Sequence, residues 1–417
     1  MIKKNNVVCP SLLVVTALAM CFLVQAAQAS TVSVGTPNCT NLVNFATIQL
    51  AVNAVPAGST IKICPGNYPE QVLINKRLTL MGIPNGTQDA VVISPPAGGM
   101  VANGAVDPRG PVAAQILVQS TPGPVSISNL TVDGKGNQYT GGDLRGICYQ
   151  DASGVVNHVA VRNEIPNDIP TGDQWGQGIF VETISSPGAT LTVENSSVHN
   201  YNKNGIVARY AGANLIATGN YVQGSGPIDV IAQNGIELAF DGATGSIKSN
   251  TVIDNFYTPT TSSSADILLY DAAESASIAV SGNTLGNSNY AVSLFTDAAG
   301  TFGDGVTVTN NKIFGTSTFD AIDVCTNGNT ITGNTIFNSS ESGIHLDASC
   351  TGTGIGNNVS ANIILESACA GILADPGTGN VNTNTFYTVP FPVTSSTASC
   401  TLLSGPARAK TAAKFKP

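Results

Sequence analysis

The repeat GICYQD at residues 146–151 decides the fold of this chain, because it returns at residues 178–183 as GIFVET and then seven more times. Each copy begins with a small or short polar residue followed by an aliphatic one. The later copies begin at Gly205, Gly235, Asp266, Ala291, Ala321, Gly343 and Gly371. Consecutive copies begin 22 to 32 residues apart, and this period is typical of a solenoid in which each repeat forms one turn.

A second mark recurs about once per repeat, an asparagine just before a pair of apolar residues. The column comprises Asn129, Asn157, Asn195, Asn220, Asn250, Asn283, Asn311, Asn334, Asn362 and Asn384. Buried amides must find hydrogen-bond partners, and an Asn side chain both donates and accepts. We therefore predict that these side chains form an internal ladder along the stack and serve structure, not catalysis.

The ends of the chain differ from the repeats. Residues 1–29 combine Lys3 and Lys4 with an apolar run and small residues, which is typical of a signal peptide and predicts a secreted protein. Residues 30–60 form a lead-in, where the apolar residues of 47–55 share one helical face, so we expect a short helix that caps the first coil. The solenoid is expected over 61–390 and a loose basic tail over 391–417.

Composition narrows the range of partners. Charged residues make up 10% of the chain, and the formal net charge is -9, or about -11 without residues 1–29. An acidic chain does not favour nucleic acid, whose binding proteins carry basic patches. No stretch beyond the signal peptide is apolar enough to span a membrane. We expect a single elongated domain and favour a monomer.

Seven of the nine cysteines lie beyond the signal peptide. Export permits disulfides, and an odd count leaves at least one thiol over. We predict one bridge between Cys39 and Cys64, and one or two among Cys325, Cys350, Cys369 and Cys400. Zinc is disfavoured as the reason for these cysteines, because no CxxC or HxxxH spacing occurs.

Residues 47–82, TIQLAVNAVPAGSTIKICPGNYPEQVLINKRLTLMG, carry a resemblance to a known family. The segment resembles the N-terminal part of pectin methylesterases and, more loosely, proteins of the pectin lyase-like superfamily. The run from Gly66 to Glu70 matches the Gly-x-Tyr-x-Glu of that family, whose catalytic blocks are missing downstream. The resemblance implies an all-β fold, a single-stranded right-handed parallel β-helix of about eleven coils, and a polysaccharide as partner.

Alternation along each repeat strand defines which side chains face outward. Counting the aliphatic residue as inward places the next residue, and the one two further on, on the outer surface. The first predicted column is Cys148, Phe180, Val207, Glu237, Ser293, Asp323, His345 and Leu373. The second is Gln150, Glu182, Arg209, Ala239, Phe295, Cys325, Asp347 and Asp375. The Asp266 repeat is left out, because its register is expected to slip by one residue.

The middle of these columns suggests a groove. Glu182 and Arg209 fall on adjacent coils, with Glu237 one coil further, and we predict these three as catalytic residues. Arg209 would neutralise a uronate carboxylate or a developing enolate, while Glu182 or Glu237 takes a proton. A surface ion pair of little consequence is the alternative reading of Glu182 and Arg209.

The connections into the same coils are long and carry aromatic and acidic residues. We predict that Asp173, Trp175, Tyr201 and Tyr257 line the groove and bind substrate, because sugar rings stack on aromatic side chains in concave sites.

A second cluster of outward residues lies near the C-terminal end. Asp323, Asp347 and Asp375 gather around His345, and carboxylate oxygens are the ligands that Ca²⁺ prefers. We predict a calcium site there, which would also let an acidic protein hold an acidic glycan. Two other readings stay open: His345 and Asp347 as an acid/base pair, and an ordinary solvated edge.

Two classes of function follow. The first is a secreted protein that binds or acts on a polysaccharide, as a polyuronate lyase, an epimerase or an esterase. The second is a non-catalytic envelope or adhesive β-helix that uses the same face. The missing catalytic blocks favour the second class, whereas the long loops gathered over one face favour the first.

Overall fold

The computed structural model describes residues 28–395, except 88, 106–109, 186–187, 260, 276, 298–301, 317–318 and 351–353. Most of the predicted signal peptide, most of the predicted tail and Cys400 therefore lie outside the described residues. Within these residues, no helix has the length and hydropathy needed to cross a membrane.

The chain forms one helix and thirty-six strands in the described ranges, nearly all of them short. In chain order they are β1 (Thr31–Val34), β2 (Asn44–Phe45), α1 (Ile48–Ala54), β3 (Ser59–Ile63), β4 (Gly66–Pro69), β5 (Val72–Ile74), β6 (Leu78–Gly82), β7 (Val91–Ser94), β8 (Val112–Gln119), β9 (Val125–Asp133), β10 (Asp143–Gln150), β11 (Gly154–Arg162), β12 (Gln177–Glu182), β13 (Ala189–Glu194), β14 (Ser197–His199), β15 (Asn204–Arg209), β16 (Ala213–Thr218), β17 (Tyr221–Ile228), β18 (Asn234–Ala239), β19 (Thr244–Lys248), β20 (Thr251–Tyr257), β21 (Ala265–Tyr270), β22 (Ala279–Ser281), β23 (Thr284–Gly286), β24 (Tyr290–Phe295), β25 (Thr307–Thr309), β26 (Lys312–Thr316), β27 (Ile322–Val324), β28 (Thr330–Thr332), β29 (Thr335–Ser339), β30 (Ile344–Leu346), β31 (Asn357–Ser360), β32 (Ile363–Leu365), β33 (Ala370–Ala374), β34 (Gly379–Val381), β35 (Thr385–Tyr387) and β36 (Phe391–Thr394).

The strands stack as a right-handed parallel β-helix, which confirms the predicted fold. Twelve of them, one per turn, form the front sheet, in the order β5, β8, β10, β12, β15, β18, β21, β24, β27, β30, β33 and β36. The other strands form a larger sheet made of two parallel ladders, which meet where the long strands β9 and β11 run through both. The front sheet thus has twelve rungs, close to the eleven coils expected.

The glycine that opens most repeats has a steric cause. A Cβ atom on Gly146 would lie 2.5 Å from the Val161 Cγ1 atom, and one on Gly178 would lie 2.4 Å from the Val198 Cγ1 atom. Both valines are buried residues of the rear ladders. The front strand therefore enters each turn so close to the core that a side chain at this position would displace its neighbour.

The predicted asparagine ladder is present, but it begins later than expected. Side-chain amides bond in series from Asn220 to Asn384, with Nδ2 to Oδ1 distances of 2.9 to 3.0 Å. In the preceding coil the ladder position belongs to Ser196, whose backbone N–H donates to Asn220. Asn195 instead takes the left-handed corner before it, with a φ of 50°.

Asn129 and Asn157 also lie outside the ladder. Asn129 occupies the same left-handed corner, with a φ of 55°. Asn157 pairs in register with Ser128, the residue before that corner. The inward position that follows the corner is filled in these two coils by Leu130 and Val159, which are buried. The first coils therefore close this bend with apolar packing, and the later coils close it with amides.

The predicted capping helix is α1, whose buried residues are Ile48, Ala51 and Val52. Thr47 accepts a hydrogen bond from the Leu50 N–H at the helix start. Both oxygens of Glu70 accept from the first helical N–H groups, those of Ile48 at 2.8 Å and Gln49 at 3.0 Å. A carboxylate at this end is favourable, because it satisfies orphan donors and complements the helix dipole.

Two of the predicted disulfides are formed. Cys39 bonds to Cys64 beside the capping helix, and Cys325 bonds to Cys350 among the last four cysteines. Among the described residues Cys148 keeps a free thiol, as the odd count requires. Burial raises the pKa of Cys148 to about 12, so this thiol is inert at neutral pH.

Polar groups inside the stack include two acids of raised pKa. Asp266 accepts from Asn255 Nδ2, Ser288 Oγ and the Gly286 N–H.

Glu164 is fully buried, and neither of its carboxylate oxygens has a hydrogen-bond partner within the described part of the chain. Burial, and then the charge of Asp133, raise the pKa of Glu164. The Glu164 carboxyl therefore keeps its proton to a higher pH than an exposed glutamate does.

Replacing Glu164 with glutamine is expected to stabilise the protein more at pH 8 than at pH 4. Below the ordinary pKa of glutamate the group is protonated whether folded or not. Above it only the unfolded chain ionises, so wild-type stability falls by about 1.4 kcal/mol per pH unit until the raised pKa is reached. Urea unfolding of wild type and variant across this range measures the difference, and Glu194→Gln, at a partly exposed position, controls for the lost charge. A constant difference between wild type and Glu164→Gln would contradict the expectation.

Candidate functional site: the outer face of the front sheet

The two predicted columns exist on the outer face of the front sheet. Backbone pairing aligns Glu182 with Arg209, and Val207 with Glu237. Further along, Ser293, Asp323 and His345 follow one another on consecutive strands. Side chains that are far apart in sequence therefore lie one strand spacing apart, about 4.8 Å.

The Asp266 repeat does not slip, which corrects the register expected for it. Ile236 pairs with Ile267 and Ala239 with Tyr270. Leu268 therefore belongs to the first column and Tyr270 to the second. Asp266 occupies the position of the usual glycine, and its carboxylate bonds inside the stack.

A third outward column, just before the repeat glycines, was not anticipated. It runs in register through Arg145, Gln177, Asn204, Asn234, Ala265 and Tyr290. The alternation count began at the aliphatic residue of each repeat and so missed it. One sequence signal was available, because Arg145 is the one cation that directly precedes a repeat start.

Arg145 organises the first polar cluster on this face. The guanidinium donates to Asp143 at 2.8 Å and to Glu182 at 2.5 Å, and all three side chains are at most 3% exposed. Glu182 also accepts from Gln150 at 2.7 Å. The carbon of the same guanidinium stands 3.8 Å from the centre of the Phe180 ring, and that of Arg209 stands 4.8 Å from it. Phe180 thus contacts two cations, an arrangement that stabilises both.

The predicted catalytic trio is aligned but not open to solvent. Glu182 is fully buried, Arg209 is 1% exposed and Glu237 is 4% exposed. The ionic partner of Glu182 is Arg145, while Glu237 accepts from the amides of Asn204 and Asn234 at 2.6 and 3.0 Å. The expectation that these residues line an open groove is therefore corrected, and so is the alternative that Glu182 and Arg209 form a surface ion pair. Both side chains belong to a buried network.

The cover over this cluster comes from the segment before β8. The Ala105 N–H donates to the Gln150 side chain, which in turn donates to the Ala105 carbonyl. The Asn103 amide bonds both the N–H and the carbonyl of Ala114. The described part of this segment thus contacts the outer face at Gln150, which bonds Glu182, and its Pro- and Gly-rich sequence gave no sign of where it would lie.

The four predicted substrate-binding residues do not gather into one site. Tyr201 is 1% exposed and points into the core, where its hydroxyl donates to Asn255. This is a correction, because a core side chain cannot line an outer groove. Tyr257 ends β20, at the corner that leads to β21, and its N–H donates to Asn289.

Asp173 and Trp175 lie in the connection before β12 and are partly exposed. The connection is fixed to its neighbours, since the Gly172 N–H donates to the Val230 carbonyl and Asn202 donates to the Trp175 carbonyl. Burial, and then the charge of Asp168, raise the pKa of Asp173. Both residues precede the first residue of β12, Gln177, by two to four positions.

Two aromatic rows occupy the outer face further along the axis. The first is formed by Phe240, Tyr270 and Phe295, with ring centres 5.0 and 5.5 Å apart. The second is formed by Tyr290 and Phe319, which stack at 5.0 Å. With Leu268 they make a hydrophobic cluster separate from the core. Except for Phe295, the sequence columns did not include them.

His345 is the centre of the second polar cluster and is fully buried. Its Nδ1 atom is 3.2 Å from Asp320 and 3.6 Å from Asp323, and its Nε2 atom is 3.7 Å from Asp375. Burial alone lowers the pKa of His345, but Asp320, and then Asp375 and Asp323, raise it to about 10. Asp320 was missed by sequence reasoning because it precedes the strand head.

The predicted calcium ligands do not converge on one point. Asp323 groups with Asp320 on the Nδ1 side of His345, whereas Asp347 and Asp375 group with His345 on the other side. Within each group one ligand atom per residue lies within 4.8 Å of the others. A nearby group with Asp347 includes Cys325 and Cys350, whose sulfurs are already bonded to each other. The grouping of Asp323, Asp347 and Asp375 as one set is therefore corrected.

No protein-family model and no curated protein matches this sequence. Among solved structures, the chain is similar to the GH136 lacto-N-biosidase from Eubacterium ramulus, with a TM-score of 0.58 and 13% identity over 87% of this chain and 68% of that one. It is also similar to the A-module of a mannuronan C-5 epimerase from Azotobacter vinelandii, with a TM-score of 0.48 and 16% identity over 83% and 92% of the two chains. The similarity to the lacto-N-biosidase shows a shared parallel β-helix fold. The resemblance of residues 47–82 to pectin methylesterases stays a prediction.

Proposed function

We propose that this chain is a secreted protein that binds a polysaccharide along the outer face of the front sheet, over the two aromatic rows. The observation that carries the proposal is the placement of those rows between two polar clusters on one continuous face. A sugar ring presents apolar C–H faces to aromatic rings and hydroxyls to polar groups. A face that alternates the two along its length suits a chain of sugars better than a single small molecule.

The exposure of the rows supports this role. Phe295 is 9% exposed, Phe319 is 7% and Tyr290 is 5%, while Leu268 between them is 1% exposed. The proposed groove is the strip of the outer face along these rows, and Phe240 is its partly exposed end. Glu237 at one end and Asp323 at the other are buried, at 4% and 6% exposure, and they are the acidic groups nearest to a ligand bound along the rows.

The spacing of the acids limits the chemistry. Glu237 and Asp323 are separated by three strand spacings in the first column, or about 14 Å. Paired carboxylates that cleave glycosidic bonds are about 5 to 9.5 Å apart. If the protein acts on its glycan, the reaction therefore uses one end of the groove, as in proton abstraction by a lyase or an epimerase, and not a carboxylate pair across it.

Two further facts support a carbohydrate ligand and an exported protein. The lacto-N-biosidase that shares the fold is named for a saccharide, and residues 47–82 resemble proteins that act on pectin. Two disulfides are typical of an oxidising compartment. Together with the predicted signal peptide, they favour secretion.

A non-catalytic role is the second candidate, and the burial of the predicted catalytic residues favours it. Glu182 and Arg209 are at most 1% exposed and cannot reach a sugar without movement of the covering segment. A protein of this second kind would hold glycan on the aromatic rows without turning it over.

Replacing Phe295 with alanine is expected to weaken polysaccharide binding at least tenfold. The substitution removes the last ring of the first row and the stacking surface it offers, and one aromatic contact with its buried area is worth about 1.5 kcal/mol or more. Affinity electrophoresis and calorimetry against alginate, polygalacturonate and neutral glycans measure the change. Unsaturated products, followed by ultraviolet absorbance, report lyase turnover in the same samples.

Phe337→Ala is the matched control, because Phe337 is an outward ring on a rear ladder and is 44% exposed. We expect it to bind as wild type does. Equal loss in both variants, or no binding of wild type to any of these polymers, would contradict the proposal. Binding without turnover would support the non-catalytic candidate, and turnover lost on Glu237→Gln would support an enzyme.

A further inference from the structure

We propose that His345 Nε2, Asp347 and Asp375 form a binding site for a first-row divalent metal ion of the Zn²⁺ class. The inference does not depend on the proposed function. It rests on the geometry of three outward side chains on the last coils and on one buried ring nitrogen that faces them.

The ring nitrogen is the first observation. His345 is fully buried, and its Nε2 atom has no hydrogen-bond partner among the described residues, since the nearest carboxylate oxygen is 3.7 Å away. A buried polar atom that has an ion pair but no hydrogen bond is incompletely satisfied, and a ligand at this position would be favourable. The atom faces Asp347 and Asp375, and the three ligand atoms lie within 4.8 Å of one another. An ion placed among them would complete the site.

The opposite side of the ring supplies the second observation. Nδ1 faces Asp320 at 3.2 Å, and Asp320 is itself held by the Ser342 N–H at 3.0 Å. A histidine that binds a metal through one nitrogen commonly donates its other N–H to a carboxylate, which fixes the ring. Asp320 is therefore a positioning residue: it holds the proton on Nδ1, so that Nε2 is the nitrogen that releases its proton when an ion binds.

The two carboxylates are also held in place. Asp347 accepts from the Ser349 N–H and hydroxyl at 2.8 and 2.6 Å, and Asp375 accepts from the Ala348 N–H at 3.0 Å. The Asp375 side chain is 18% exposed, so the site has an entry path and room for water as a further ligand. Fixed ligands with an open side are expected of a site that exchanges its ion with solvent.

The ligand types decide which ion is bound. Ca²⁺ takes six to eight oxygen ligands in a wide shell, whereas one imidazole with two carboxylates offers fewer and mixed donors. Imidazole suits Zn²⁺ and its neighbours, and Zn²⁺ also binds Asp oxygens. We therefore replace the calcium expected from the carboxylates alone with a transition metal.

The test is metal binding by the full-length protein after removal of bound metal with a chelator. Wild type is expected to bind one Zn²⁺ per chain in calorimetry, at least tenfold more tightly than Ca²⁺, and to show visible d–d absorption on addition of Co²⁺. His345→Gln and Asp375→Asn are each expected to lose at least 100-fold in Zn²⁺ affinity. Asp320→Asn is expected to lose about ten- to a hundredfold, as is usual for a group that orients a ligand.

Asp241→Asn is the control, because Asp241 is an exposed carboxylate in the turn after β18 and its φ of 53° suits asparagine. It should bind Zn²⁺ as wild type does. Circular dichroism in chelator shows which variants fold, and the partly exposed Asp375 provides a milder variant if His345→Gln does not. No Zn²⁺ binding by wild type, a preference for Ca²⁺, or unchanged affinity in a folded Asp375→Asn protein would overturn the proposal.

Discussion

Replacing Arg145 with methionine is expected to lower the free energy of unfolding by about 3–5 kcal/mol, because it leaves two buried carboxylates without their cation. Arg145 is fully buried and bonds Asp143 at 2.8 Å and Glu182 at 2.5 Å. Its stacking on Phe180 is lost as well. Urea unfolding followed by the fluorescence of Trp175, the only tryptophan, measures the change close to the altered coil.

Arg162→Met is the matched control for this prediction. Arg162 also bonds two carboxylates, Asp133 at 2.8 Å and Asp89 at 3.1 Å, but its side chain is 25% exposed. Solvent screens such a pair, so a cost of about 1 kcal/mol or less is expected. Similar losses in both arginine variants would show that the buried network does not matter. A double variant, Arg145→Met with Glu182→Gln, is expected to recover part of the loss, because it removes one stranded charge.

Replacing Asn283 with alanine is expected to cost about 3–5 kcal/mol, because several buried groups lose their partners at about 1–3 kcal/mol each. The Asn283 Oδ1 atom accepts from both the N–H and the side chain of Asn250. Its Nδ2 atom donates to the Ile247 carbonyl and to Asn311. One substitution in the middle of the ladder therefore breaks contacts with the turns on both sides, and the loss appears in the urea midpoint.

Asn358→Ala provides the comparison for the ladder. Asn358 accepts a hydrogen bond from the Asn382 side chain at 2.8 Å, but this bond is on the surface. Water replaces the lost partner there, and a change within about 0.5 kcal/mol is expected. If the buried and the exposed asparagine cost the same, hydrogen bonding along the ladder is not what stabilises the stack. Each turn of the solenoid contacts only the turns next to it, so the loss of the Asn283 side chain is expected to destabilise the neighbouring turns first.

The fold could be predicted because its signals are local and repeated. The glycine that opens a turn is required by a valine behind it, as Gly146 and Val161 show, and the aliphatic residue after it points inward in each front strand. Repetition makes the pattern visible even when single copies vary, as with Asp266. The asparagine column was also visible, but its first three members were misplaced. Leu130 and Val159 fill the bend in the first two coils, and Ser196 fills the ladder position beside Asn195.

The candidate site could be predicted only in part. Alternation correctly gave the outward positions of Glu182, Arg209, Glu237 and Asp323, because side chains on a strand point to opposite faces by turns. It did not give Arg145 or Asp320, which precede the counted strand heads. Tyr201 was placed outside because it lies in a turn, although its ring is inserted between the sheets and its hydroxyl reaches Asn255.

The sequence by itself determined that the chain coils, which side chains share a column and where the stack is capped, because each of these depends on residues of one repeat and its period. Only the tertiary structure decided which part of the outer face stays open. Ala105 binds Gln150 from 45 residues away, and Gln150 in turn bonds the buried Glu182, whereas Phe240 and Asp375 keep part of their surface exposed. A covering segment is placed by such long-range contacts, and no periodicity within the strands it covers can reveal it.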